Sequence, residues 1–292
     1  WLSSPFLKLE FCRWGLGVLL CFFSNLVCFL VIVYYLPLRK TIFHRNGFLY
    51  LVFLLQSVLS ILFTVNNVFL FYLIFEVLVF PLSLIIGCWG SSLRRHHAVF
   101  KLYGYAAASS LPVFLLFGFL YPTLGSYSSL HLASYVFSAP KSAVYPLAIL
   151  FSLPLLVKMP FFPFHLWLVE AHVEALTGGS VILAAIMLKV GIYGLYQFVF
   201  TFFVDVLEPV FGLIFPPICF VGTIWSAILL FQQQDLKRFV AYSSVLHMNQ
   251  LGIVMFFSPH QVFYTAFLLS ISHGLTSAAL FFIVGSIYDR YG

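Results

Sequence analysis

Residues 145–167 read YPLAILFSLPLLVKMPFFPFHLW. Lys158 is the one formal charge in this apolar run, and Pro146, Pro154, Pro160 and Pro163 punctuate it. Proline lacks an N–H, and its ring clashes with the carbonyl one turn back, so the helical ladder breaks beside an ammonium group. In a membrane such a break is tolerated only where it is buried in protein or lines a cavity. Interrupted helices of this kind mark ion sites in transporters. The stretch therefore predicts a broken membrane helix with a lysine at the break. The competing reading is a lysine that snorkels to the interface, which the apolar residues on both sides disfavour.

The rest of the chain agrees with a membrane setting. Of 292 residues, 63% are hydrophobic and 8% charged, where a soluble domain carries about 25% charged residues. This excludes a soluble globular protein, and the high hydrophobicity excludes disorder. Crossing the hydrocarbon takes about 20 apolar residues, and nine stretches qualify, near 14–36, 48–65, 67–88, 98–122, 143–160, 179–203, 209–231, 239–257 and 260–287. They are continuous and do not alternate, which predicts helices and an all-α polytopic membrane protein. One membrane domain is expected over 1–292, with leading helices at 1–66, a core at 67–203 and a further group at 209–292. Pro122 to Ala143, rich in Ser, Tyr, Gly and Pro, reads as the longest surface loop.

Basic residues set the orientation. Arg39, Lys40, Arg45, Arg94, Arg95, Lys101, Lys237, Arg238 and Arg290 fall on one side, and Lys8, Arg13 and Lys141 on that of the N-terminus. The N-terminus is thus expected outside. Five cysteines (Cys12, Cys21, Cys28, Cys88, Cys219) show no CxxC spacing, and the four in or beside apolar stretches read as small buried hydrophobes. No signal peptide is expected, because the first apolar run is too long for one. Thirty-seven Phe against four Met is the bias of a thymine-rich coding strand and hints at an organelle gene.

Ionisable groups inside apolar runs are expensive and are functional candidates by default. Glu76 sits mid-run with Pro81 five residues on, so the carbonyl of Val77 loses its helical partner near the carboxylate; a protonated Glu bonded to a neighbouring helix is the plainer alternative. Lys189 lies about 15 Å into its helix, beyond snorkelling range, with Ala185, Gly191 and Gly194 allowing close approach of a partner helix. A buried lysine facing a movable carboxylate can hold or release a proton near neutral pH, which is the chemistry of a proton relay. His247 and His273 either carry protons or pair with neighbouring backbone. His165, Glu170, His172 and Glu174 follow the break, but their spacing matches no strong metal set. His96 and His97 read as a solvated loop. No phosphate loop, nucleophile arrangement, haem motif or iron–sulfur pattern is present, so neither cofactor nor metal is expected.

The run LVKMPFFPFHLWLVEAHVEALTGGSVILAAIMLKVGIYGLYQF, with FEVLVFPLSLIIGCWG, SSLP at 109–112, QQDLKRFVAYSSVLHM and ISHGLTSAALFFIVGSIYDR, resembles the chain 4 family of proton-pumping subunits of NADH:ubiquinone oxidoreductase, respiratory complex I, related to Mrp-type cation/proton antiporters. The resemblance spans about residues 67–290. It implies inverted repeats of five helices, each with one broken helix. Glu76 and Lys158 would be the family's glutamate–lysine pair, Lys189 its central-axis lysine, and His247 and His273 positions on the polar axis. The chain would serve an enzyme, an H+-translocating NADH:ubiquinone reductase, without a redox centre of its own. Its expected partners are other membrane-arm subunits, lipids, and a separate chain supplying a second broken helix, since the second repeat is incomplete; no nucleic acid is expected. The expected location is the mitochondrial inner membrane, with the N-terminus on the intermembrane-space side and a bacterial plasma membrane as the alternative. Val169, Glu170 and Leu176 depart from the family's usual Pro, Lys and Pro. Two spans precede the Glu76 helix where the family has four. A stand-alone antiporter and a non-pumping spacer of the membrane arm are the competing functions.

Overall fold

The computed structural model describes residues 15–36, 45–90, 92–257 and 263–291. The side chains of residues 45, 204–211, 263–264 and 289–291 are not among those described. Lys8, Cys12, Arg13, Arg39 and Lys40, and the side chains of Arg45 and Arg290, therefore lie outside the description. In order come α1 (Gly15–Tyr35), α2 (Arg45–Thr64), α3 (Val68–Val77), α4 (Val79–Trp89), α5 (Arg95–Leu124), α6 (Ser129–Ser138), α7 (Lys141–Lys158), α8 (Leu166–Glu174), α9 (Thr177–Ile182), α10 (Leu188–Gly194), α11 (Thr201–Phe231), α12 (Leu236–Phe257) and α13 (Phe263–Tyr291). Two π-helical segments, Leu183–Met187 and Leu195–Phe200, join α9 to α10 and α10 to α11. Among the described residues nine helical stretches are long and apolar enough to cross a membrane. This is the all-α polytopic fold that the apolar runs predict.

Local chemistry explains the interruptions. Asn67 caps α3, its side chain accepting the Leu70 N–H at 3.0 Å. Pro81 follows at the start of α4, and the helix breaks at Leu78. At the end of α7, Phe161 N–H reaches back five residues to the Leu156 carbonyl. The Val157 carbonyl thus lacks its ordinary partner, and the Trp167 indole donates to it at 2.9 Å. Across the break, the Phe162 N–H donates to Asn249 Oδ1 of α12 at 3.3 Å.

Two expectations are corrected, the Pro122–Ala143 loop and the burial of Cys88. Pro122–Ala143 is not an open loop: α5 runs on to Leu124, and α6 forms within the connection, tied down where Asn67 pairs with Ser128. Between 203 and 209, where the apolar runs part, the backbone stays helical inside α11. Cys28 and Cys219 are buried as expected, Cys21 is half-buried, but Cys88 is exposed, since α4 turns that face outward.

The stretch Thr177–Phe203 forms the axis of the bundle and is sheathed by other helices over its whole apolar window. Its small residues make this possible. A Cβ on Gly191 would stand 2.6 Å from Met159 and 3.0 Å from the Leu155 carbonyl, and one on Gly194 would stand 2.6 Å from Leu155. α7 therefore packs directly on the backbone of α10, which brings the two lysine-bearing helices together.

Candidate proton-relay site

The Lys158 ammonium is buried at the end of α7 and makes no hydrogen bond to protein. It lies 4.7 Å from the centroid of the Phe75 ring, a cation–π contact. Glu76, next along α3, is the carboxylate that acts on it electrostatically. The Ser110 side chain of α5 acts on that carboxylate, and Glu76 Oε1 is buried without a hydrogen-bond partner. A cavity of about 10 Å3 lies among Phe75, Glu76, Tyr105, Ser109, Lys158 and Trp167. Glu76 and Lys158 thus line one cavity without an ion pair between them, and both keep free hydrogen-bonding capacity.

Lys189 is sited differently. It is 1% exposed, and its ammonium donates to the Ala184 carbonyl at 2.8 Å. That acceptor is five residues back, inside the π segment, where the wider turn leaves a carbonyl within reach. Lys189 Nζ also lies 3.2 Å from Nδ1 of the buried His273 on α13. The His273 ring stands 5.7 Å from that of His247 on α12. His247 is exposed on the outer face of α12 and bonds Gln250 at 3.2 Å. The three residues form a line from the axis of the bundle to one of its faces.

His165 is buried between the rings of Phe162 and Tyr242, 5.9 and 6.5 Å away. Neither of its nitrogens has a hydrogen-bond partner, and it joins neither lysine. His172, read from the sequence only as one of four polar residues after the break, lies closer to the axis than that reading implied. It is fully buried and stacked on Phe281 at 4.5 Å, and both Lys189 and Lys237 act on it electrostatically. Lys237 in turn donates to the Ala175 carbonyl at 3.1 Å. His172 follows His165 by seven residues, two turns along one helical face, and that interval is the signal that could have found it. Glu170 pairs with Lys101, and Glu174 accepts from Ser92 at 2.7 Å, so both carboxylates belong to a polar mouth and not to a metal set. His96 and His97 are exposed but lie in the first turn of α5, so they are solvated as expected and helical where a loop was expected. Arg94, Lys101 and Arg238 line one pocket at this mouth, on one side of the bundle, in agreement with the distribution of basic residues.

Comparison with known proteins follows this geometry. The family described as NADH:quinone oxidoreductase/Mrp antiporter, TM, matches residues 65–292. NADH-ubiquinone oxidoreductase chain 4 of Acanthamoeba castellanii is 36% identical over 276 residues, covering 94% of this chain and 54% of that protein. Chain 4 of Chondrus crispus is 40% identical over 248 residues, 84% of this chain and 48% of its own length. The chain spans about half the length of these relatives. Among solved structures, respiratory complex I from Thermus thermophilus with bound NADH matches with a TM-score of 0.83 at 23% identity, over 97% of this chain and 58% of that one. The Mrp complex from Dietzia sp. DQ12-45-1b matches with a TM-score of 0.87 at 22% identity, over 100% of this chain and 32% of that one. At these identities the structural likeness establishes the fold alone.

Proposed function

The chain belongs to the NADH:quinone oxidoreductase/Mrp antiporter transmembrane family, and from that premise we propose that it translocates protons in the membrane arm of an NADH:ubiquinone oxidoreductase. The observation that carries this is the line from buried Lys189 and His273 to exposed His247, set beside Glu76 and Lys158. The relatives named chain 4 of that enzyme, at 36–40% identity, favour this reading over a stand-alone antiporter. The chain would work as a subunit among other membrane-arm subunits, in the mitochondrial inner membrane. Its eukaryotic relatives and its apolar helices support that location. The distribution of basic residues supports an N-terminus on the intermembrane-space side. Residues 67–203 would form the first repeat and 209–292 the start of the second.

In this mechanism Lys158 shares its charge with Glu76. A proton arriving on the carboxylate removes the anion that balances the ammonium and favours loss of the lysine proton. Lys189 then takes up a proton at the axis. The bond to His273 Nδ1 fixes how the imidazole acts: it accepts from the ammonium at Nδ1 and releases from Nε2. His247 stands next in line, its ring edge-to-face with that of His273 at 5.7 Å between centroids. His172, facing Lys189 and Lys237, links the axis to the polar mouth on the other side. Further helices of the path would lie against the face where His247 is exposed.

The test is replacement of Lys158 or Lys189 by Met in the native complex, with proton-to-electron stoichiometry measured in vesicles. The stoichiometry falls if these groups carry protons. Unchanged stoichiometry in a normally assembled complex makes the chain a spacer.

A further inference from the structure

Two cavities meet at Lys101, away from the axis. One, of about 270 Å3, is lined by Arg94, His97, Lys101, Glu170, Glu174 and Arg238 among others. The second, of about 450 Å3, follows α5 and α7 past Phe100, Gly104, Ala108, Leu153, Val157 and Phe164. Lys101 lines both.

The sequence of α5 builds this junction. Arg94, His97 and Lys101 recur at intervals of three and four, so they share a face of the first two turns. Phe100, Gly104 and Ala108 recur at intervals of four and carry an apolar face deeper. A Cβ added to Gly104 would meet no atom within 4 Å, so the floor of the groove is open where the small residues stand. From Lys101 to Ser109 the helix advances ~12 Å, most of the ~15 Å that one leaflet of hydrocarbon occupies.

The charges at the mouth are uneven. Glu170 pairs with Lys101, and Glu174 accepts from Ser92 and keeps its charge, so Arg94, Lys101 and Arg238 outnumber the two carboxylates by one. Arg94 and Arg238 form no ion pair among the described residues. Two guanidinium groups at the end of an apolar groove suit a phosphate, which they can grip through paired N–H donors. Basic pockets between membrane helices hold lipid headgroups in this way. An apolar protein helix would fill the groove and leave both arginines unused. We infer that this is a binding site for an anionic phospholipid, with the phosphate between Arg94 and Arg238 and one acyl chain along Gly104 and Ala108. The chain would close the outer side of Tyr105, Ser109 and Val157, whose inner side lines the Glu76–Lys158 cavity.

The test uses the whole complex, delipidated and re-supplied with phosphatidylglycerol or phosphatidylcholine, with retained lipid counted by native mass spectrometry. The wild type retains phosphatidylglycerol in preference to phosphatidylcholine. The Arg94→Gln/Arg238→Gln variant loses about tenfold in phosphatidylglycerol retention, as removal of charge-assisted bonds requires, and is unchanged toward phosphatidylcholine. Gly104→Leu, which fills the groove and leaves the charges alone, lowers retention of both lipids. Should the double variant not assemble, Arg94→Gln alone, at an exposed position, serves in its place. Equal retention of the two lipids by the wild type, or retention unchanged in the charge and groove variants alike, overturns the inference. So does a photoreactive residue in place of Phe100 that crosslinks to another subunit and not to lipid.

Discussion

Lys158 and Lys189 are the same residue, both buried, on helices that pack against each other, yet they are accommodated by opposite means. Lys158 has an aromatic face and a carboxylate for company, with no hydrogen bond to its ammonium. Lys189 has a carbonyl and an imidazole within bonding distance. A broken helix made the first arrangement, by ending α7 at the charge. A π segment made the second, by turning a carbonyl of the same helix toward it. The difference separates two tasks. Charge balance by a carboxylate makes Lys158 responsive to whatever protonates Glu76. Under the proposed relay, neutral partners would make Lys189 a station whose proton has a direct neighbour to move to.

Four experiments break or sharpen this contrast. The largest effect is expected on transport: Lys189→Met removes the donor to His273 and lowers the proton transfer rate by about 100-fold or more, the scale of a positioned acid–base group. Proton flux at constant electron flux reads it. Next, Glu76→Gln strands the Lys158 ammonium and destabilises the chain by about 3 kcal/mol, much of which the Glu76→Gln/Lys158→Met double variant restores. A double-mutant cycle in denaturant shows this, and simple additivity would dissolve the pair. His273→Ala should cost about 2 kcal/mol, since it removes an acceptor from a buried ammonium, and should slow transfer as well. The smallest stability change belongs to His247→Ala. That side chain is exposed, so stability should move by no more than about 0.5 kcal/mol while proton flux falls. Equal losses of stability for His247 and His273 would contradict the inside-to-outside line.

The contrast was only half legible in the sequence. Proline spacing around Lys158 foretold the break, because proline acts on its own backbone and needs no partner to do so. The depth of Lys189 and its flanking glycines foretold a buried, tightly packed axis for the same reason. What surrounds Lys189 was not legible, since π segments come from tertiary packing and carry no local code. His172 looked like one of several polar residues after the break; only the approach of α10, α12 and α13 sets it beside Lys189, Lys237 and Phe281. The helix within Pro122–Ala143 was hidden by its Ser and Gly content. It is held by an isolated pairing of Asn67 with Ser128, contributed by distant parts of the chain.

The indole of Trp167 has a mechanical consequence. It bonds the Val157 carbonyl across the very gap that the prolines open, so the two half-helices are pinned at one point on either side of the lysine. Such a joint resists bending, and the rotation it allows is twist about the pin. Motion transmitted along α7 would then reach α8 as a turn of its axis, carrying His165 and His172 round together like marks on a shaft.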